Sequence, residues 1–147
     1  MTVAKVSERL GLPCYIDSKT AKNVTNKAYM KKKFIEFGIP TAQSIVLEEN
    51  EKFIESIFNG LRFPLIVKPC DCNSSKGVVK VVNQNELPKA VNDAFDFSRS
   101  KKVIIENFIE GEEVSIDVWK DHNGAKILSV SKTNIIKSNK ENFTIYQ

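Results

Sequence analysis

Apolar positions near the start of the chain recur at helical spacing. Val3, Val6 and Leu10 predict a short helix over residues 3–10, closed by Gly11 and Pro13. Met30, Phe34 and Phe37 recur at i, i+4 and i+7, so a clearer helix is expected from a cap at Thr25 or Asn26 to about Phe37, where Gly38 and Pro40 end it. That register leaves Lys31-Lys32-Lys33 mostly on the solvated face. From Ser44 the pattern alternates between strand and helix. Residues 44–47 form a short strand, and Asn50 caps a helix whose Phe53, Ile54, Ile57 and Phe58 make one stripe before Gly60. Residues 64–69 are an apolar run bounded by prolines, read as a buried strand, and Val78–Val82 is a further strand. Asn85 then caps a helix carrying Leu87, Ala90, Val91, Ala94 and Phe95, and residues 103–106 are the next strand. The order β-α-β-β-α-β is an α+β unit, one sheet with helices on one face.

The last third is strand-rich. Val114, Ile116 and Val118 alternate with Glu113, Ser115 and Asp117, and Asn123-Gly124 turns the chain into a second strand over Ala125–Ser131. No element is predicted for residues 132–147, and the chain stops without a closing helix, as a fold cut off partway would.

Composition changes this picture little. With 147 residues and 41% hydrophobic content there is material for one ordinary core, which excludes a disordered chain. The net charge of +4 is a mild bias, not the lopsided balance of a dedicated nucleic-acid binder. It is uneven, though: residues 1–43 carry eight bases and three acids, and the rest is nearly balanced. Three cysteines argue against a disulfide framework and for a reducing compartment, and no window approaches a membrane span, so a soluble cytoplasmic protein is expected. Neither an internal repeat nor a low-complexity linker is present.

Candidate chemistry gathers in three places. The loop Cys70–Gly77 joins two apolar strands, and its small, hydroxylated and Gly residues allow backbone N–H groups to line a concavity beside Lys68 and Lys76. It has neither P-loop nor dinucleotide spacing, and by composition alone a solvated hairpin is the commoner outcome. Lys68 ends an apolar strand and must reach water or meet a fixed anion. Lys27, near a helix start, is a similar case. Finally, Glu106 closes one strand and Glu113 opens another, so residues 106–113 can offer an adenine an acceptor and a backbone donor, and a ribose diol a carboxylate.

The string VIIENFIEGEEVSID at 103–117, preceded by FPLIVKP at 63–69 and by Asn26-Lys27 and Phe37–Pro40, resembles the ATP-grasp superfamily, closest to its carbamoyl-phosphate-synthase-like and biotin-carboxylase-like members. Three separated motifs in order cover about residues 5–132. The resemblance implies a small lid over 44–106, flanked by an N-terminal helical segment at 1–43 and a partial antiparallel sheet at 107–147 that begins the C-terminal half. It implies that Lys27 and Lys68 contact ATP phosphates and that Ser74, Ser75 and Gly77 belong to a flap over them. Glu106 would begin the hinge, with the backbones of Asn107 and Ile109 reading the adenine edge, and Glu113 would bind the ribose.

The implied activity is ATP-dependent ligation of a carboxylate, or bicarbonate, to an amine through an acyl phosphate. Mg²⁺ is implied as a cofactor, with its ligands on strands beyond residue 147, so this piece is expected to be inactive alone and its catalytic residues are unassigned. The alternative is a non-catalytic module that keeps the scaffold and binds a nucleotide or a partner. Cys70 and Cys72 lack a second pair for zinc, Cys14 is expected as a small apolar filler, and His122 sits in a polar turn with no positioned partner. Trp119 is expected to pack.

Overall fold

The computed structural model describes residues 1–49 and 60–132, together with the backbone of two short strands at 134–136 and 144–146. The helix expected to follow Asn50 lies outside the described residues. The chain divides into two compact units, Met1–Phe108 and Ile109–Gln147.

The first unit opens with helices α1 (Thr2–Leu10), α2 (Ser18–Thr25) and α3 (Lys27–Glu36). Helix α1 ends at Gly11 in the left-handed region, as the sequence predicts. The face is wrong, however: Ala4 and Ser7 are buried, whereas Val3, Val6 and Leu10 are exposed. Helix α2 was not expected; its cap is Asp17, whose carboxylate accepts from Thr20 N at 2.5 Å. In α3 the cap is Asn26, accepting from the N–H groups of Ala28 and Tyr29. Its buried residue is Lys31, while Phe37 is 70% exposed, so the expected solvated lysine run and apolar stripe are rotated from their predicted places.

Strands β1 (Ser44–Glu48), β2 (Leu65–Pro69), β3 (Val79–Val81) and β4 (Lys102–Asn107) form an antiparallel sheet in the order β1-β4-β2-β3. Asn83, not Asn85, is the cap after β3. It holds a 3₁₀ turn, Gln84–Glu86, that leads into helix α4 (Leu87–Phe97) with Pro88 in its first turn. One sheet face packs on α4: Leu47, Leu65, Val67, Val81, Val103 and Ile105 meet Leu87, Ala90, Val91 and Ala94 in the core. Strand alternation then puts Ile66, Lys68, Ile104 and Glu106 on the opposite face.

The second unit is a hairpin of β5 (Val114–Asp121) and β6 (Gly124–Lys132), with a register shift between Asp117 and Val118. It is followed by β7 (Asn134–Ile136) paired with β8 (Thr144–Tyr146), strands not expected from the sequence. Trp119, expected to pack, is 58% exposed, and Val114, Ile116 and Val118 are about half exposed.

Candidate functional site

The sheet face opposite α4 carries charge. Lys68 of β2 and Glu106 of β4 are diagonal neighbours, since Lys68 lies opposite Ile104 and Glu106 opposite Ile66. The Lys68 ammonium bonds Glu106 Oε1 directly. Helix α3 approaches from the side: the Lys27 N–H donates to Cys70 O at 2.8 Å, which ties the first turn of α3 to the end of β2. Lys27 and Lys31 are one turn apart and share a helix face. Lys27 Nζ donates to Cys72 O at 2.5 Å. Lys31 Nζ donates to Ala42 O at 2.8 Å and lies 3.0 Å from Glu106 Oε2.

Two ammonium groups, Lys68 and Lys31, therefore share one buried carboxylate, and the Lys27 ammonium stands near enough to Lys68 to feel its charge. Burial, and then the charge of Lys68, hold the Lys27 amine below the ordinary lysine range. Glu106 Oε2 is buried and accepts no hydrogen bond, its Lys31 contact being an ion pair without hydrogen-bond geometry. Excess cation around a buried acceptor suits an anionic ligand that also brings an N–H or O–H donor.

The loop after β2 is rooted on α4. The Asp71 carboxylate accepts from Ser98 Oγ and the Ser100 N–H, Asp71 O accepts from Arg99, and the Cys72 thiol donates to Phe97 O at 2.8 Å. Ser74 and Ser75 are both left-handed, at φ 58° and 54°, and Gly77 has φ 70°. A Cβ on Gly77 would sit 2.8 Å from Phe97 Cδ2, so only glycine fits there.

At the end of β4 the Asn107 N–H donates to Gln43 O at 3.0 Å and its side chain accepts from Arg62 N at 2.8 Å. The amide expected to face an adenine is thus engaged within the protein. The Phe108 N–H donates to Pro64 O, and Lys80 Nζ stands 3.7 Å above the Phe108 ring.

Of the residues singled out in the sequence, Lys68 pairs with Glu106 and Lys27 stands near Lys68, bonded to the Cys72 carbonyl, while Ser74, Ser75 and Gly77 lie on the adjoining loop. Ile109 and Glu113 belong to the second unit and are exposed in it. Lys31 was missed, although its spacing of four from Lys27 carried the signal. Cys14, expected as an apolar filler, is exposed; Cys70 is the buried thiol, pushed up to about 11 by burial. Among the described residues no group of three or more His, Cys, Asp or Glu could hold a metal ion, and no helix is long and apolar enough to cross a membrane.

The chain resembles solved structures over nearly its whole length. Over 99% of its length the chain matches the crystal structures of the D-Ala-D-Ala ligase from Helicobacter pylori (26% identity, TM-score 0.76, 43% of that chain) and VanG D-Ala:D-Ser ligase from Enterococcus faecalis (25%, 0.82, 45%). Over 94% it matches the Bacillus anthracis D-alanine–D-alanine ligase complexed with ATP (27%, 0.78, 44% of that chain). The fold is that of the ATP-grasp ligases.

The sequence narrows the class. Residues 34–147 match the family described as D-ala D-ala ligase C-terminus, and the chain belongs to that family. It is 35% identical over 133 residues to the D-alanine–D-alanine ligase of Azobacteroides pseudotrichonymphae genomovar. CFP2, covering 88% of this chain and 40% of the relative. To the Staphylococcus carnosus (strain TM300) ligase it is 34% identical over 125 residues, covering 80% and 34%. The branch is therefore not the carbamoyl-phosphate-synthase-like one that the motifs suggested. The chain spans about two fifths or less of the length of these relatives.

Proposed function

We propose that this chain is the ATP-binding portion of a ligase that joins two D-alanine molecules. The γ-phosphoryl group of ATP would pass to the carboxylate of one D-alanine, giving an acyl phosphate; the amine of the second would attack the carbonyl and release phosphate. The relatives' names favour D-alanine as both acid and amine, in place of the bicarbonate option. The observation that carries the reading is the pairing of Lys68 with the buried Glu106 carboxylate, with the half-buried Lys27 ammonium close enough to Lys68 to be held down by its charge.

In this reading Lys27 and Lys68 hold phosphate oxygens as point charges, and Ser74, Ser75 and Gly77 fold over them. Glu106 Oε2 accepts from the adenine amino group, the backbone of Ile109 faces the ring, and Glu113 takes the ribose hydroxyls. Asn107 keeps the end of β4 in place through Gln43 and Arg62. Mg²⁺ would supply charge neutralisation during phosphoryl transfer. The donor set among the described residues fits the nucleotide rather than a resident cation.

Calorimetric titration of the chain with Mg·ATP tests this. Charge-assisted hydrogen bonds contribute about 1.5–3 kcal/mol, so Lys68→Met is expected to weaken binding by about tenfold or more. Equal affinity in wild type and Lys68→Met, with both melting alike, refutes the site.

A further inference from the structure

Lys68 and Lys31 meet the same carboxylate from different surroundings. Side-chain exposure is 21% for Lys68 but 10% for both Lys31 and Glu106. Lys68 thus has an open side from which to reach a ligand. Lys31 is enclosed, and its ammonium is anchored on Ala42 O. The next residue, Gln43, accepts the Asn107 N–H, so one short segment ties α3 to the end of β4.

A buried carboxylate that loses its only cation is strongly disfavoured. When Lys68 turns from Glu106 Oε1 to a phosphate oxygen, the cation left beside the carboxylate is Lys31. We propose that Lys31 is a positioning residue for nucleotide binding: without touching the nucleotide, it holds the Glu106 carboxylate in place while Lys68 and the ligand engage. This rests on the nucleotide-binding reading above. The helix supports it, because α3 delivers Lys27 and Lys31 one turn apart on one face, a ligand-contacting lysine followed by a supporting one.

A double-mutant cycle read by calorimetry with Mg·ATP tests the proposal on the full chain. Lys31→Met should weaken ATP binding about tenfold, within the range over which members of one ion-pair network couple. Lys31→Arg, which keeps the charge, should recover most of the loss. In a Glu106→Gln background, Lys31→Met should change affinity by less than about twofold, because Lys31 acts only through Glu106. A merely structural lysine would lower affinity equally in both backgrounds, and that result overturns the proposal. If Lys31→Met alone does not fold, the comparison of Glu106→Gln with Lys31→Met/Glu106→Gln, where the charged pair is removed together, decides it: a further loss overturns the proposal and equal affinity supports it. ATP affinity kept in Lys31→Met but lost in Lys68→Met overturns this inference and leaves the nucleotide site standing. No binding by the wild-type chain overturns both.

Discussion

Lys27 carries its charge where folding opposes it. Burial and the neighbouring Lys68 lower its pKa, so the protonated amine is disfavoured in the native state relative to the unfolded chain. The sign follows: the opposition is full below the folded pKa and fades as pH rises through it toward the unfolded value of 10.5. A bound anion reverses the balance. In an NMR titration of the lysine Cε groups, Lys27 is expected to titrate below the other lysines and to move up when Mg·ATP is added. A midpoint among the other lysines that ATP leaves unmoved would contradict the phosphate role. Cys70 behaves in the opposite sense. Its thiol, 0% exposed, is raised from 9.0 to about 11 by burial, so the stability it supports is intact below about 9 and is lost as pH climbs to about 11. The loss amounts to about 2 kcal/mol. At pH 8.5 iodoacetamide should alkylate exposed Cys14 quickly and reach Cys70 only after denaturant is added; equal rates would refute the burial account.

Elements were legible where burial and polarity agree. Strand β2 is apolar and bounded by prolines, and β4 is a near-continuous apolar run; both stand where the pattern puts them, because their core-facing residues pack under α4. Helix α3 was legible in extent but not in orientation. Hydrophobic spacing reports a core face, and this helix turns Lys27 and Lys31 inward toward charge, a face that an apolar count cannot find. Helix α2 escaped because its eight residues bury only Ala21. The cap before α4 was displaced by two residues because a 3₁₀ turn intervenes, and Asn83 accepts from both Asn85 N and Glu86 N. The flap loop shows how the elements hold each other. Gly77 is left-handed and pressed on Phe97, so Gly77→Ala should cost about 1–3 kcal/mol from backbone strain and overpacking together. Adding Phe97→Ala removes the contact but not the strain, so thermal melts by circular dichroism should show partial recovery. Full recovery, or no loss in Gly77→Ala, would show that the φ angle is not what demands glycine there.

Stability is unevenly spread over the whole molecule. Among the described residues, every member of the core cluster falls within residues 1–108. In the second unit Val114, Ile116, Val118, Ile127, Leu128 and Val130 are each more than half exposed. Its polar ties, Lys132 with Glu112 and Ser129 with Asp117, are exposed as well. A two-stranded hairpin is marginal in water, and exposed ion pairs add about 0–1 kcal/mol, so amide hydrogen exchange should find strong protection in β4 and β2 and little in β5 and β6. The proposed ligand contacts divide along the same line: Lys27, Lys68 and Glu106 stand on the stable unit, and Glu113 opens the marginal one. If Glu113 binds the ribose, ATP links folding to binding and must slow exchange at 113–121. Glu113→Ala should abolish that slowing while leaving the first unit's protection by ATP in place. Slowing that persists in Glu113→Ala would mean that the nucleotide orders the hairpin through another group. ATP protection confined to residues 1–108 in the wild type would remove Glu113 from the site, and the lysines of the first unit would then carry nucleotide recognition without it.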